Sequence, residues 1–221
     1  ALYPDVNIEI ITCSAGEGVA RVEAEGDNPT IDVFYSGLNQ ADGDKYAGIF
    51  EPYVSSHDSE LPEEYQSNNG FYNYDHLSSV VFCVNTDLEA ELGIEVNSYA
   101  DLLNPALNGK VIISDPTSSS AAWNNLSNIF AVYGNDSDEA WAQIEGMLQN
   151  GLIVVGSSSA CFKSVQQGEY VVGLTYEDGA STLLKDGATN IKMVYPSEGS
   201  SAFAFAAAIV KNAPHMDAAK A

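Results

Sequence analysis

The sequence predicts an α/β fold. Short apolar runs alternate with longer segments that end at glycine, and the connections between them are only a few residues long. Strands and helices that alternate in this way form parallel βαβ units. Of the 221 residues, 45% are apolar, which is ample for a buried core in one large domain or two small lobes.

The first 35 residues predict strand, helix and strand. Val6, Ile8 and Ile10 alternate with polar residues, which is the period of a β-strand. A helix is expected over residues 14–25, after a turn of serine and glycine. The short apolar run 31–35 predicts a second strand.

Beyond residue 42 an irregular stretch is followed by a regular alternation. Residues 42–74 are rich in Asp, Ser, Asn, Gly and Tyr and are expected to carry only short helices. Apolar runs predict strands at 80–85, 111–114, 152–155, 170–175, 191–195 and 203–210. Residues 98–101 resemble the capping sequence of a one-turn helix ended by Pro105, and longer helices are expected at 117–133, 137–151, 158–167 and 178–185.

The charge balance excludes some functions. The chain has 8 Lys and Arg and 31 Asp and Glu, and the resulting net charge of −23 repels phosphate backbones and anionic membranes. We therefore expect no nucleic-acid partner. No apolar run approaches the roughly 18 residues of a membrane span. The sequence starts at Ala1 without a leader, which is expected to have been removed or left out.

Three predicted strand-to-helix turns are crowded with Ser, Thr and Gly, at residues 13–17, 115–120 and 156–160. The first N–H groups of a helix lie at the positive end of its dipole, so such turns hold an anion without cationic side chains. Each serine is also an ordinary N-cap. A cap needs one hydroxyl, however, and two turns offer three or more, which favours convergence on one ligand.

Two further segments carry polar groups. Tyr176 and a carboxylate, Glu177 or Asp178, follow the strand at 170–175 and can accept hydrogen bonds from an ammonium or hydroxyl group. The alternative is that Asp178 caps a helix and Tyr176 packs. The aromatic cluster 71–76 offers stacking faces, although tyrosine is common throughout the loops.

Enzyme motifs are absent from the sequence. The turn at 156–160 lacks the last glycine of the G-x-S-x-G nucleophile elbow. His57, His76 and His215 show no H-E-x-x-H spacing, and neither phosphate-binding glycine motif is present. Cys13, Cys83 and Cys161 form no pair typical of zinc sites and are interpreted as structural or incidental. We expect no catalytic residue, no metal ligand and no cofactor.

Several segments together resemble a known family, the extracytoplasmic solute-binding proteins of ABC importers. The branch of this family that the sequence resembles takes up ferric iron, phosphonates, sugar phosphates or thiamine. The order and spacing of the similar segments are more specific than any one segment. The similar segments are 24–34, 84–87, 98–103, 108–111, 115–116, 156–170 and 194–199.

This resemblance implies a two-lobed fold of the periplasmic-binding-protein type 2. Lobe 1 would comprise residues 1–80 and 196–221, and lobe 2 residues 81–195, with a hinge and an interlobe cleft. The family has another strand before Tyr3 and a helical extension after Lys220, so lobe 1 is expected to be truncated at both termini. The resemblance also implies an ABC permease as partner, a monomer and an extracytoplasmic location.

The ligand expected is a small anionic or zwitterionic solute, with a phosphonate or phosphorylated compound favoured. Iron-binding relatives carry adjacent tyrosines where this chain has Tyr176 followed by Glu177. Alternatives are ferric iron, held by Tyr72, Tyr74, Asp75, His76 or Tyr176, an extracellular sensor module and an acidic hydrolase. The expected ligand-binding residues are Ser14, Ser36, Ser118, Ser119, Ser157, Ser158, Tyr176 and Asp178.

Overall fold

A computed structural model describes residues 3–4, 6–36, 38 and 45–221. The chain forms two compact units. Unit 1 comprises Ala1–Leu77 and Ala204–Ala221, and unit 2 comprises Ser78–Phe203. The family resemblance implies lobe boundaries at 80/81 and 195/196, and the boundaries of the two compact units are at 77/78 and 203/204.

The described elements confirm a mixed α/β fold. The helices α1 to α7 are Ala15–Glu25, Thr86–Leu92, Ser120–Tyr133, Asp138–Gln149, Ala160–Gln166, Glu177–Lys185 and Met216–Lys220. The strands β1 to β7 are Val33–Ser36, Asn73–Asn85, Val111–Ser114, Ile153–Val155, Val172–Tyr176, Ile191–Val194 and Ala202–Ile209. Short 3-10 helices lie at Asp58–Glu60, Glu63–Tyr65, Ala100–Leu103 and Pro105–Leu107. Among these described helices, none is long and apolar enough to cross a bilayer.

Unit 2 is built on a mixed sheet. Strand β3 pairs in parallel with β4 and β5, and β2 pairs antiparallel with β5 and β6. Because alternate strand residues face opposite sides of a sheet, β2 contributes to two cores. Phe82 and Val84 pack with Ile129 on one side, and Val81 and Cys83 pack with the α5 helix on the other.

Unit 1 has a smaller core. Strand β1 pairs antiparallel with β7, with Phe34 opposite Ala208. Helix α1 buries Val22 in the same core. Gly18 lies so close to the Phe34 ring that a side chain at this position would overlap it. The helix thus packs tightly over β1.

The predicted strand around Val6 to Ile10 is wrong. Residues 6–14 have no regular secondary structure, and Ile8 and Ile10 are 78% and 83% exposed. Alternation produces a strand only where a neighbouring strand accepts its hydrogen bonds and covers its apolar face. No described residue of this segment pairs with another strand.

Two element boundaries also differ from the prediction. Helix α3 begins at Ser120 instead of residue 117, because Asp115 accepts hydrogen bonds from the amide and hydroxyl of Thr117 and holds a turn there. Strand β2 begins at Asn73, within the stretch expected to be irregular. Residues 42–44 of that stretch lie outside the described residues.

Candidate functional site

Three strand-to-helix turns meet at one edge of the unit 2 sheet. Strands β3, β4 and β5 run parallel, so their carboxyl ends lie at the same edge. Direct contacts join the turns. The Asp115 amide donates to the Val155 carbonyl at 2.8 Å, and Ser158 is hydrogen-bonded to Tyr176. We call the turns 115–119, 156–159 and 176–178 the strand-end site.

The first turn is organised by a carboxylate. Asp115 accepts from the Thr117 amide at 2.8 Å and from the Thr117 hydroxyl at 2.7 Å. These hydrogen bonds, that of the hydroxyl first, lower the pKa of Asp115. The carboxylate is therefore charged at neutral pH and occupied within its own turn.

The two serines that follow have different environments. Ser119 is 5% exposed and caps α3, accepting from the Ala122 amide at 3.3 Å and from the Ser114 hydroxyl at 2.9 Å. Ser118 is half-buried, and within the described part of the chain its hydroxyl makes no hydrogen bond to protein. Ser118 is thus better placed than Ser119 to donate to a ligand.

The second turn leaves its helix without a side-chain cap. The N-cap of α5, Ser159, makes no capping hydrogen bond, and its hydroxyl instead contacts that of Ser157 at 3.1 Å. Ser157 is exposed and Ser158 half-buried. Burial raises the pKa of the nearby Cys161 thiol to about 12, so this sulfur is protonated at neutral pH.

The third turn contributes a phenol. Burial, chiefly, raises the pKa of Tyr176, while its hydrogen bond with Ser158 acts in the opposite direction. The Tyr176 hydroxyl is therefore protonated at neutral pH. Neither Tyr176 nor Asp178 caps α6, which begins without a side-chain cap. Glu177 accepts from the Tyr195 hydroxyl at 2.7 Å.

Two buried polar atoms near the end of β5 were not singled out by the sequence. Asn125 donates to the Thr175 carbonyl at 3.1 Å, while its own Oδ1 and the Thr175 Oγ1 have no partner among the described residues. Both residues are 1% exposed. The signal in the sequence that could have indicated these atoms is Asn125, an asparagine on the apolar face of α3.

The remaining residues expected at the site belong to unit 1. The Ser14 hydroxyl is engaged in a capping box, accepting from the Glu17 amide at 3.3 Å and donating to its carboxylate at 2.9 Å. Ser36 ends β1 opposite Ala206. Tyr72 and Tyr74 are 1% and 8% exposed in the core. Their ligand roles stay predictions.

Comparison with known proteins identifies the family. The model of the bacterial extracellular solute-binding protein family matches residues 28–221. The chain belongs to this family. This solute-binding protein is 24% identical over 97% of its length to a probable ABC transporter periplasmic-binding protein of Sinorhizobium fredii. It is 30% identical over 98% of its length to an uncharacterized protein of Haemophilus influenzae. The chain spans 60% and 64% of those relatives, respectively.

Solved structures agree with this assignment. The solute-binding protein is similar to the periplasmic binding protein AfuA from Actinobacillus pleuropneumoniae, whose structure has exogenous fructose-6-phosphate bound. The identity is 26%, the TM-score is 0.86, and the match covers 99% of this chain and 70% of AfuA. A structure of a two-component system protein in signal transduction matches with 28% identity and a TM-score of 0.77, over 96% of this chain and 70% of that one.

Proposed function

We propose that this chain is part of the substrate-binding component of an ABC importer and that it binds a small anionic solute, phosphorylated or a phosphonate. In this proposal the strand-end site supplies the hydrogen-bond donors. The protein binds and does not catalyse, in keeping with its family.

The observation that carries the proposal is the distribution of acidic residues among the helix starts. Helices α1, α2, α4, α6 and α7 each have an acidic residue in the first turn. Helices α3 and α5, which follow the two serine-rich turns, have none. In a chain of net charge −23, two helices whose first turns carry no carboxylate favour an external anion at their positive dipole ends, and the nearby Asp115 carboxylate is already hydrogen-bonded to Thr117.

Hydrogen-bond donors supply the attraction at short range. The turns of the strand-end site contain no Lys or Arg. Ser118, Ser157 and the hydrogen-bonded pair of Ser158 and Tyr176 place O–H groups at these turns, and hydrogen bonds to a charged acceptor are stronger than those to a neutral one. Glu177, which accepts from the Tyr195 hydroxyl at 2.7 Å, and Asp178 place carboxylates at the third turn, where an amine of a zwitterionic solute can bind.

The choice of a phosphorylated solute is supported by AfuA, which has fructose-6-phosphate bound and is 26% identical to this chain. An extracytoplasmic location and a membrane permease as partner are supported by the family and by the Sinorhizobium relative. We propose that the protein acts as a monomer.

The test is calorimetric titration of the protein with fructose 6-phosphate, an aminoalkyl phosphonate and inorganic phosphate. Ser118→Ala and Ser158→Ala are expected to weaken binding of the preferred solute by about ten- to a hundredfold each, equivalent to about 1.5–3 kcal/mol. Ser127→Ala, which changes an exposed serine on α3 outside the strand-end site, is the control and should bind as the parent does. Parental affinity in both site variants would show that these serines serve the fold alone.

A second candidate is an extracellular sensor module, favoured by the similarity to the two-component system protein. Both functions need the same ligand site and differ in the partner. Purified protein with bound solute should stimulate ATP hydrolysis by its permease complex if it serves transport. Stimulation of a membrane kinase instead would establish the sensor.

A further inference from the structure

Three donor atoms of unit 1 lie at the corners of a nearly regular triangle. Tyr35 Oη is 3.0 Å from Asp75 Oδ2 and 3.2 Å from His76 Nδ1. The third side, between His76 Nδ1 and Asp75 Oδ2, is 3.1 Å. Tyr35 lies on β1, and Asp75 and His76 are consecutive on β2. Consecutive strand residues ordinarily point to opposite faces, but both of these bend towards the same phenol.

The sides of this triangle fit the coordination sphere of a transition metal ion. Metal–oxygen and metal–nitrogen bonds of about 2.0–2.1 Å place neighbouring ligand atoms about 2.9 Å apart in an octahedron and about 3.3 Å apart in a tetrahedron. The three observed distances fall between these values. The three atoms are joined by hydrogen bonds in the metal-free protein, and one ion can reach all three of them without a change in their spacing.

Aromatic stacking fixes two of the three donors. The His76 ring lies on Phe205 with centroids 4.7 Å apart and planes 6° apart. The Tyr35 ring stacks on the same Phe205 at 6.2 Å. A ligand whose ring is held by packing loses less conformational entropy on binding a metal. Phe205 thus acts as a positioning residue for the triangle.

The charge of the protein favours a cation at this triangle, and a small cavity lies next to it. A cavity of about 110 Å³ lies beside Asp75 and His76 and is lined by Leu61, Tyr65, Leu77 and Ala204. Its lining is mostly apolar, so it provides room beside the triangle and no further ligand. The net charge of −23 concentrates cations around the protein, and a phenolate with a carboxylate neutralises a divalent ion.

We propose that Tyr35, Asp75 and His76 bind a divalent first-row transition metal ion, Cu²⁺ more tightly than Zn²⁺ in the usual order of affinities. On binding, the Tyr35 phenol releases its proton to solvent and Oη coordinates the ion. His76 coordinates through Nδ1 and keeps its proton on Nε2. The described residues hold no metal-binding group of three His, Cys, Asp or Glu, so the phenol of Tyr35 completes the set. The site goes beyond the proposed solute function and does not depend on it.

The test is titration of the metal-free protein with Cu²⁺ and Zn²⁺, followed by absorption spectroscopy and calorimetry. Cu²⁺ is expected to bind one to one with a phenolate-to-copper charge-transfer band in the visible range. Tyr35→Phe should abolish the band and weaken Cu²⁺ binding at least tenfold. Tyr53→Phe, which removes a unit 1 hydroxyl bonded at 2.7 Å to the Lys220 carbonyl, should keep both. Calorimetry in two buffers should show one proton fewer released by Tyr35→Phe than by the parent.

Two results would overturn the proposal. One is a parent protein with bound Cu²⁺ and no phenolate band, a measurement that needs no variant. The other is metal affinity that survives Tyr35→Phe and His76→Gln but falls in His57→Gln or His215→Gln. Those histidines pair with Glu60 at 2.9 Å and Asp32 at 3.1 Å and are the competing two-donor sites. Melting temperatures of the metal-free variants check that each is folded.

Discussion

At the scale of single residues, the Glu25 carboxylate links the end of α1 to the following turn through hydrogen bonds. It accepts from the Thr30 amide at 2.6 Å, the Thr30 hydroxyl at 2.8 Å and the Arg21 guanidinium at 2.9 Å. These donors, the Thr30 amide first, lower the pKa of Glu25 from 4.5 to about 2. A lowered pKa in the folded state gives stability that is present above the unfolded value and lost as the pH falls through the folded one.

Glu25→Gln is therefore expected to lower the free energy of unfolding at neutral pH. The difference from the parent should shrink as the pH falls from about 4.5 to about 2, where the parent carboxyl is protonated as well. Urea unfolding at a series of pH values measures this difference. Glu23→Gln, an exposed change on the same helix, is the control. A difference between Glu25→Gln and the parent that does not vary with pH would contradict the assignment.

Residue types in the turns were predictable from the sequence, but the role of each hydroxyl was not. Ser118 and Ser119 look alike in the sequence, and only the start of α3 at Ser120 makes Ser119 the cap. The triangle of Tyr35, Asp75 and His76 was not predicted either, since it joins residues about 40 positions apart. Contacts between distant residues depend on strand pairing, which local patterns do not contain.

At the scale of elements, close packing of α5 on β5 depends on one glycine. A methyl group at Gly173 would overlap the carbonyl group of Cys161 and contact Val165. A backbone carbonyl within a helix has no room to move aside. The whole helix would have to shift, and with it the second turn of the strand-end site.

Gly173→Ala is expected to destabilise unit 2 by about 1–3 kcal/mol or more through overpacking. Gly156→Ala is the matched control, because no atom lies within contact distance of its added methyl group. Denaturant unfolding of both variants measures the difference. Equal stabilities would mean that α5 packs less tightly on β5 than described.

Some strands could be predicted from the sequence and others could not. Strand β3 was expected with its observed bounds, because four successive buried apolar or small residues follow Lys110 and precede Asp115. The first half of β2 was not, since Asn73, Asp75 and His76 resemble loop residues. Pairing with a neighbouring strand outweighs strand propensity. The loop-like residues of β2 form a strand because they pair, whereas the strand-like segment 6–14 is unpaired and forms none.

At the scale of the whole molecule, the net charge of −23 sets a repulsion that opposes folding. Raising the ionic strength from about 0.01 M to about 0.15 M shortens the screening length from about 30 Å to about 8 Å. The melting temperature is expected to rise by a few degrees over this range. Calorimetry in sodium chloride and in choline chloride should give the same rise, because screening does not depend on the cation. No change with salt would contradict this account.

The placement of the cysteines lets unit 2 be followed separately in the intact chain. Cys83 and Cys161 are buried in unit 2, and burial raises both pKa values to about 12, whereas Cys13 is exposed in unit 1. A thiol reagent at neutral pH reaches the two buried sulfurs only when unit 2 opens. In a Cys13→Ser background, the rate of labelling then reports the opening equilibrium of unit 2. Solute bound at the proposed strand-end site should slow that rate in proportion to its occupancy, so two native cysteines serve as a probe of ligand-induced protection.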